Sequence, residues 1–266
     1  MRVRSQAFVS LTALLIFHLA LPALAGHHEK AEGGQDAENA AKAEGGQDAE
    51  NAAKAGGGQD AENAAKAGAA KRPAPAIDPL MRPQLARETA PEQFQARFET
   101  TQGEIVLQVE RAWSPHGADR FYNLVRLGFY DDVAFFRVIP GFMAQFGMSG
   151  DPKVTRAWQR ATLRDDPVVE SNVRGMLSFA KTGRPNSRTT QLFINLSDNK
   201  NLDQSGFSPF ARVIEGMDVV DRIYKVGEGA PRGPGPSQQS IKRQGNAYLK
   251  EQFPKLDYIE RATITE

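Results

Sequence analysis

The chain has 266 residues, and its 33 basic side chains nearly balance 32 acidic ones. That length suits one or two domains. No long basic patch interleaved with aromatics is present, which excludes a nucleic-acid binder of the usual electrostatic kind. The absence of cysteine excludes disulfides, thiolate metal sites and a cysteine nucleophile.

Residues 1–25 read as an export signal. Arg2 and Arg4 supply the positive end, a largely apolar run from Phe8 to Leu21 follows, and Ala23-Leu24-Ala25 fits the small-x-small cleavage rule. The run is shorter than the roughly 20 apolar residues of a membrane span, and His18 interrupts it. Cleavage after Ala25 is therefore expected, with no stable membrane insertion afterwards.

Three near-identical units of twelve residues begin at Lys30, Lys42 and Lys54. They contain no Leu, Ile, Val or aromatic residue, so they have nothing to bury against the entropy of ordering. Residues 26–70, with 9 acidic and 4 basic side chains, read as a disordered acidic spacer. Residues 71–95 form a second linker, in which Pro73, Pro75, Pro79, Pro83 and Pro91 favour extended chain. Residues 84–95 are its candidate for a short helix. The folded domain is expected over 96–266.

Residues 96–110 alternate apolar and polar side chains about a turn at Thr101–Gly103, which predicts a β-hairpin. Pro115 to Leu127 has helical spacing, with Phe121, Leu124 and Val125 on one face and Gly128 as the stop. His116 belongs to the first turn, and with no second histidine nearby it supports no His-based acid–base or metal chemistry.

Residues 133–150, Val-Ala-Phe-Phe-Arg-Val-Ile-Pro-Gly-Phe-Met-Ala-Gln-Phe-Gly-Met-Ser-Gly, organise the rest. Strand alternation puts Phe135, Arg137 and Ile139 on one face, with Phe136 and Val138 on the other. A guanidinium among large apolar side chains serves a polar ligand or an ion pair. Beyond the Pro140-Gly141 turn come Phe142, Met143 and Gln145, two apolar surfaces and an amide that both donates and accepts.

The string Phe-Arg-Val-Ile-Pro-Gly-Phe-Met-x-Gln closely resembles the signature of the cyclophilins, peptidyl-prolyl isomerases built on a closed antiparallel β-barrel. Ala118-Asp-Arg-Phe-Tyr-Asn-Leu124 and Gly128-Phe-Tyr-Asp131 match the family's helix and turn before that strand. Gly150-Asp151-Pro152 is kept, but the following Lys153–Leu163 departs from the family's glycine- and threonine-rich run. Trp158 there either lines a substrate groove or packs under a surface loop.

Two further blocks carry the resemblance. Residues 175–195 read as strand, polar loop, strand, and match the family's Gly-x-Leu-Ser-x-Ala, Pro-Asn-Ser and Thr-Gln-x-Phe-Ile-Asn. Residues 201–223 match its Leu-Asp, Phe and Val-x-Glu-Gly-Met-Asp-Val-Val-Asp, the last part reading as a second amphipathic helix. Asn201 stands where eukaryotic members commonly carry a tryptophan that contacts cyclosporin, so tight cyclosporin binding is not expected. A Gly/Pro loop at 227–236, a helix over 240–253 and a last strand over 257–264 complete the chain.

The resemblance implies a mainly β fold, a closed antiparallel barrel capped by two α-helices. It implies peptidyl-prolyl isomerisation with Arg137 and Gln145 catalytic. Phe142, Met143, Ala180, Thr182, Gly183, Gln191, Phe193, Leu202 and Phe207 would bind substrate. No metal or other cofactor is expected. Proline-containing extended polypeptides are the expected partners, acted on by a monomer in the periplasm or outside the cell. The competing reading is a proline-peptide-binding module with incidental or no catalysis.

Overall fold

A computed structural model describes residues 78–265, and the export-signal and repeat assignments lie outside them, as do the first seven residues of the proline linker. Strands β1 (Gln93–Thr100) and β2 (Gly103–Glu110) form the expected hairpin, in register from Gln93↔Glu110 to Thr100↔Gly103. Alternation drives it: Phe94, Ala96 and Phe98 on β1 and Ile105, Leu107 and Val109 on β2 all point inward and are buried. Helix α1 (Pro115–Arg126) covers this surface with Ala118, Phe121, Leu124 and Val125.

The remaining strands are β3 (Val133–Ala134), β4 (Arg137–Ile139), β5 (Met143–Phe146), β6 (Met176–Phe179), β7 (Leu192–Asn195), β8 (Pro209–Glu215) and β9 (Tyr258–Thr265). They make one curled antiparallel sheet in the order β3-β9-β1-β2-β8-β6-β7-β5-β4. Aromatic side chains fill its concave side. Phe98 meets Phe146 edge-on at 5.8 Å, and Phe121 lies 5.2 Å from Phe210 and 5.8 Å from Tyr130. Each buried ring of this size stabilises the fold by roughly 1.5–3 kcal/mol relative to exposure.

The ends of the sheet order, β3 and β4, are consecutive in the chain and joined by Phe135-Phe136. This joint corrects the expected alternation. The Phe135 N–H bonds Asp257 O (2.9 Å) and the Phe136 N–H bonds Gln145 O (3.1 Å), so the chain changes partners between them. Phe135 then faces the main core together with Val138, while Phe136 packs into a separate cluster with Met148, Ile241 and Leu256. Arg137 and Ile139 keep the shared face; Phe135 does not belong to it.

Five α-helices occur among the described residues: the two expected to cap the sheet, the one expected over 240–253, and two short ones that were not expected. The expected pair are α1 and α4 (Met217–Arg222). Between them lie two short helices, α2 (Pro152–Trp158) and α3 (Asn201–Gln204). The last helix, α5 (Gln238–Gln252), breaks at Gly245 (φ 58°, ψ −141°). A side chain there would strike Gly150 O, to which the next N–H, that of Asn246, bonds at 3.0 Å.

No helix forms over 84–95. Instead 3-10 turns at Pro79–Met81 and Pro83–Leu85 lead into extended chain. The Asn123 side chain exchanges hydrogen bonds with the Glu88 backbone, and Asp119 Oδ1 accepts from the Ala90 N–H (2.9 Å). Tertiary contacts thus take up backbone groups that a local helix would have paired. Trp158 is buried, 5.6 Å from Phe129, and donates its indole N–H to Leu80 O at 2.8 Å, so it is a core residue beneath this segment.

Candidate functional site

The β4–β5 turn at Pro140-Gly141 sets the register that builds the site. Arg137 pairs with Gln145 and Ile139 with Met143, while β5 in turn pairs Gln145 with Phe193 of β7. Directly opposed residues share a face, so Arg137, Gln145 and Phe193 form one cross-strand row. Gln191, two residues before Phe193, extends it: Gln145 Nε2 donates to Gln191 Oε1 at 2.9 Å.

Beside this row lies a shallow apolar pocket lined by Arg137, Phe142, Met143, Gln145, Ala180, Phe193, Leu202 and Phe207. Phe193 and Phe207 meet edge-on at 5.7 Å and form its aromatic wall. Leu202 arrives from α3, which is anchored where the Asp203 carboxylate accepts from the Asn172 backbone and side-chain N–H groups, both at 2.8 Å. Burial would raise the Asp203 pKa, but the Ser171 and Asn172 hydrogen bonds outweigh it and hold it below the usual carboxylate value.

Arg137 is only 6% exposed. Its Nη1 donates to Gln145 Oε1 (3.1 Å), and its guanidinium carbon lies 5.8 Å from the Phe142 ring centre. Nε and Nη2 make a bidentate fork with Glu228, both at 2.7 Å. Glu228 would be raised by burial, but hydrogen bonds and charge from Arg137 prevail and lower its pKa.

Eight of the eleven expected site residues therefore line one pocket, and Gln191 touches it through Gln145. Thr182 and Gly183 lie outside the lining, in the 180–190 loop, where the Thr182 N–H donates to Ser187 Oγ at 3.0 Å. The residue that sequence reasoning did not find is Glu228. Its one signal was indirect: an arginine in an apolar strand demands a partner, but nothing marks a carboxylate 91 positions away as that partner.

Residues 95–243 match the family model of the cyclophilin type peptidyl-prolyl cis-trans isomerases. The chain is a member of the cyclophilin family. It is 38% identical to peptidyl-prolyl cis-trans isomerase A of Dickeya dadantii over 139 residues, 48% of this chain and 69% of that protein. It is 37% identical to peptidyl-prolyl cis-trans isomerase B of Escherichia coli over 177 residues, 64% of this chain and 98% of that protein. Among solved structures, a cyclophilin type peptidyl-prolyl cis-trans isomerase of Cryptosporidium parvum aligns with a TM-score of 0.49 at 21% identity, over 65% of this chain and 98% of that one. The matched region contains every cyclophilin residue assigned above to the pocket, together with Glu228.

Proposed function

We propose that this cyclophilin accelerates Xaa-Pro isomerisation by stabilising the twisted amide electrostatically. The observation that carries the reading is the nearly buried Arg137 guanidinium at the edge of a pocket lined by apolar and aromatic side chains. The amide barrier, about 18–20 kcal/mol, comes from delocalisation of the nitrogen lone pair into the carbonyl. Uncatalysed exchange takes tens to hundreds of seconds. A catalyst needs neither nucleophile nor metal, only tighter binding of the twisted form than of either planar one.

In this reading Phe142, Met143, Phe193, Leu202 and Phe207 seat the proline ring. Arg137 donates to the proline carbonyl and towards the prolyl nitrogen, so that the lone pair localises. Gln145, braced by Gln191, holds the substrate backbone, and Ala180, Thr182 and Gly183 lie along the peptide's path. Exclusion of water strengthens each of these contacts. The curled sheet is read as a closed barrel, its ends joined through Phe135-Phe136.

The leader extends the proposal. Residues 1–25 act as a removable export signal and 26–70 as an acidic spacer, so the clients are exported polypeptides met by a monomer in the periplasm or outside the cell. N-terminal sequencing of the mature protein tests the signal; a chain that still begins at Met1 refutes it.

The deciding experiment is isomerisation of a short Xaa-Pro peptide by the protein and by its Arg137→Ala variant. Fast exchange that the variant loses supports the mechanism. A folded protein with no rate above the uncatalysed one leaves the binding-module reading instead.

A further inference from the structure

The 227–236 loop is built to present one carboxylate. The Gly227 N–H bonds Val138 O (2.9 Å), which fastens the loop to β4 one residue from Arg137. Gly235 N–H bonds Glu228 O (2.8 Å) and Ala230 N–H bonds Gly235 O (2.9 Å), closing the loop on itself. The approach is close: a Cβ on Gly233 would lie 2.4 Å from Glu228 O, and one on Gly235 2.9 Å from it. These bonds are all main-chain and do not involve the Glu228 side chain. That side chain is oriented separately, with its Oε1 accepting from the Gly229 N–H (2.9 Å) as well as from Arg137.

We propose that Glu228 is a positioning residue of the isomerase site, its carboxylate fixing the plane and direction of the Arg137 guanidinium, so that catalysis requires Glu228 to be ionised. The inference rests on the role proposed above for Arg137. Three of the five guanidinium N–H groups are committed to Glu228 and Gln145, and a fork gripped on two edges cannot rotate about its last side-chain bonds. A donor held in place needs no reorganisation when charge develops on the substrate. The charged groups facing Glu228 are Arg137 from β4 and Arg232 from its own loop, and both favour the ionised form. Activity is then full at neutral pH and declines only as acid protonates Glu228, below the usual glutamate range.

The test uses the full chain, with peptide isomerisation and circular dichroism followed against pH for the wild type, Glu228→Gln, Glu228→Asp and Arg137→Ala. Glu228→Gln is expected to keep its fold and lose roughly ten- to a hundredfold in kcat/KM, since small misplacements of a catalytic group have effects of that size. Glu228→Asp is expected to recover part of the loss, and the acid limb of the wild type is expected to vanish in Glu228→Gln. An inactive Arg137→Ala beside a Glu228→Gln that matches the wild type at every pH overturns the proposal and spares the Arg137 mechanism. A fully active Arg137→Ala overturns both. The wild type supplies a check that needs no variant: the Arg137 Nε–H resonance and kcat/KM should titrate with one midpoint. Activity that stays level through that midpoint overturns the proposal.

Discussion

Arg137 and Gln145 are register partners across the β4–β5 ladder, and the Arg137 Nη1 donates to the Gln145 Oε1 at 3.1 Å. A one-residue slip of β5 would turn Gln145 to the other face and end the contact. The tight Pro140-Gly141 turn prevents that slip, and so the position of the amide depends on a turn five residues away rather than on the pocket itself.

Arg137→Ala should lower kcat/KM by about 10²–10³, the usual loss on removing one preorganised donor. Glu228 is partly exposed and can turn to solvent, so the fold should persist. Arg137→Lys should rescue little, because an ammonium cannot hold the Glu228 fork and Gln145 together. Peptide kinetics beside circular dichroism checks both.

Leu202→Ala should act mainly on KM. Leu202 is a wall of the pocket, and its truncation removes apolar contact with ground state and transition state alike. The expected loss is about 1–2 kcal/mol of binding. Separate kcat and KM values decide it; an unchanged KM with reduced kcat would assign Leu202 a different part.

Trp158→Phe should cost about 1–3 kcal/mol of stability through the lost bond to Leu80 O and a smaller ring in the core. Its kcat/KM should match the wild type, because Trp158 packs on Phe129 and is absent from the pocket lining. Denaturant midpoints measured beside peptide kinetics test the pair of expectations.

Asp166 should make stability sensitive to acid. Burial would raise its pKa, but the bond from Ser114 (2.5 Å), the charge of Arg188 and the His116 N–H together hold it below the ordinary value. A carboxyl with a depressed native pKa stabilises the fold above its unfolded pKa, about 3.9, and the benefit disappears as pH falls through the lower native value. Asp166→Asn should therefore cost about 2–3 kcal/mol at neutral pH. The gap between variant and wild type should shrink below about pH 4. Urea unfolding at several pH values measures that gap, and one that stays constant from neutral to acid would refute the assignment.

The hairpin, α1, β6, β7 and β9 were legible in local patterning: Phe94, Ala96 and Phe98 alternate, and Phe121, Leu124 and Val125 recur at helical spacing. The segment at 133–139 misled because alternation assumes an unbroken strand, whereas the Phe135 and Phe136 N–H groups donate to different partners, Asp257 O and Gln145 O. Residues 78–92 have no repeat of either period; Asn123, Asp119 and Trp158 hold them, and those contacts exist only after α1 and α2 are packed.

By itself the sequence determined the family and most of the pocket. Those residues occupy short ordered strings whose alternation delivers them to one face, and eight of the eleven candidates meet there. Only the tertiary structure decided what holds the arginine. Glu228 comes to Arg137 from 91 residues along the chain, on a loop with no periodicity, and such a pairing follows from how the sheet curls and where the loop is fastened. Local patterning assigns faces and turns, but the partner of a buried charge is selected by the low-dielectric space that the completed fold encloses.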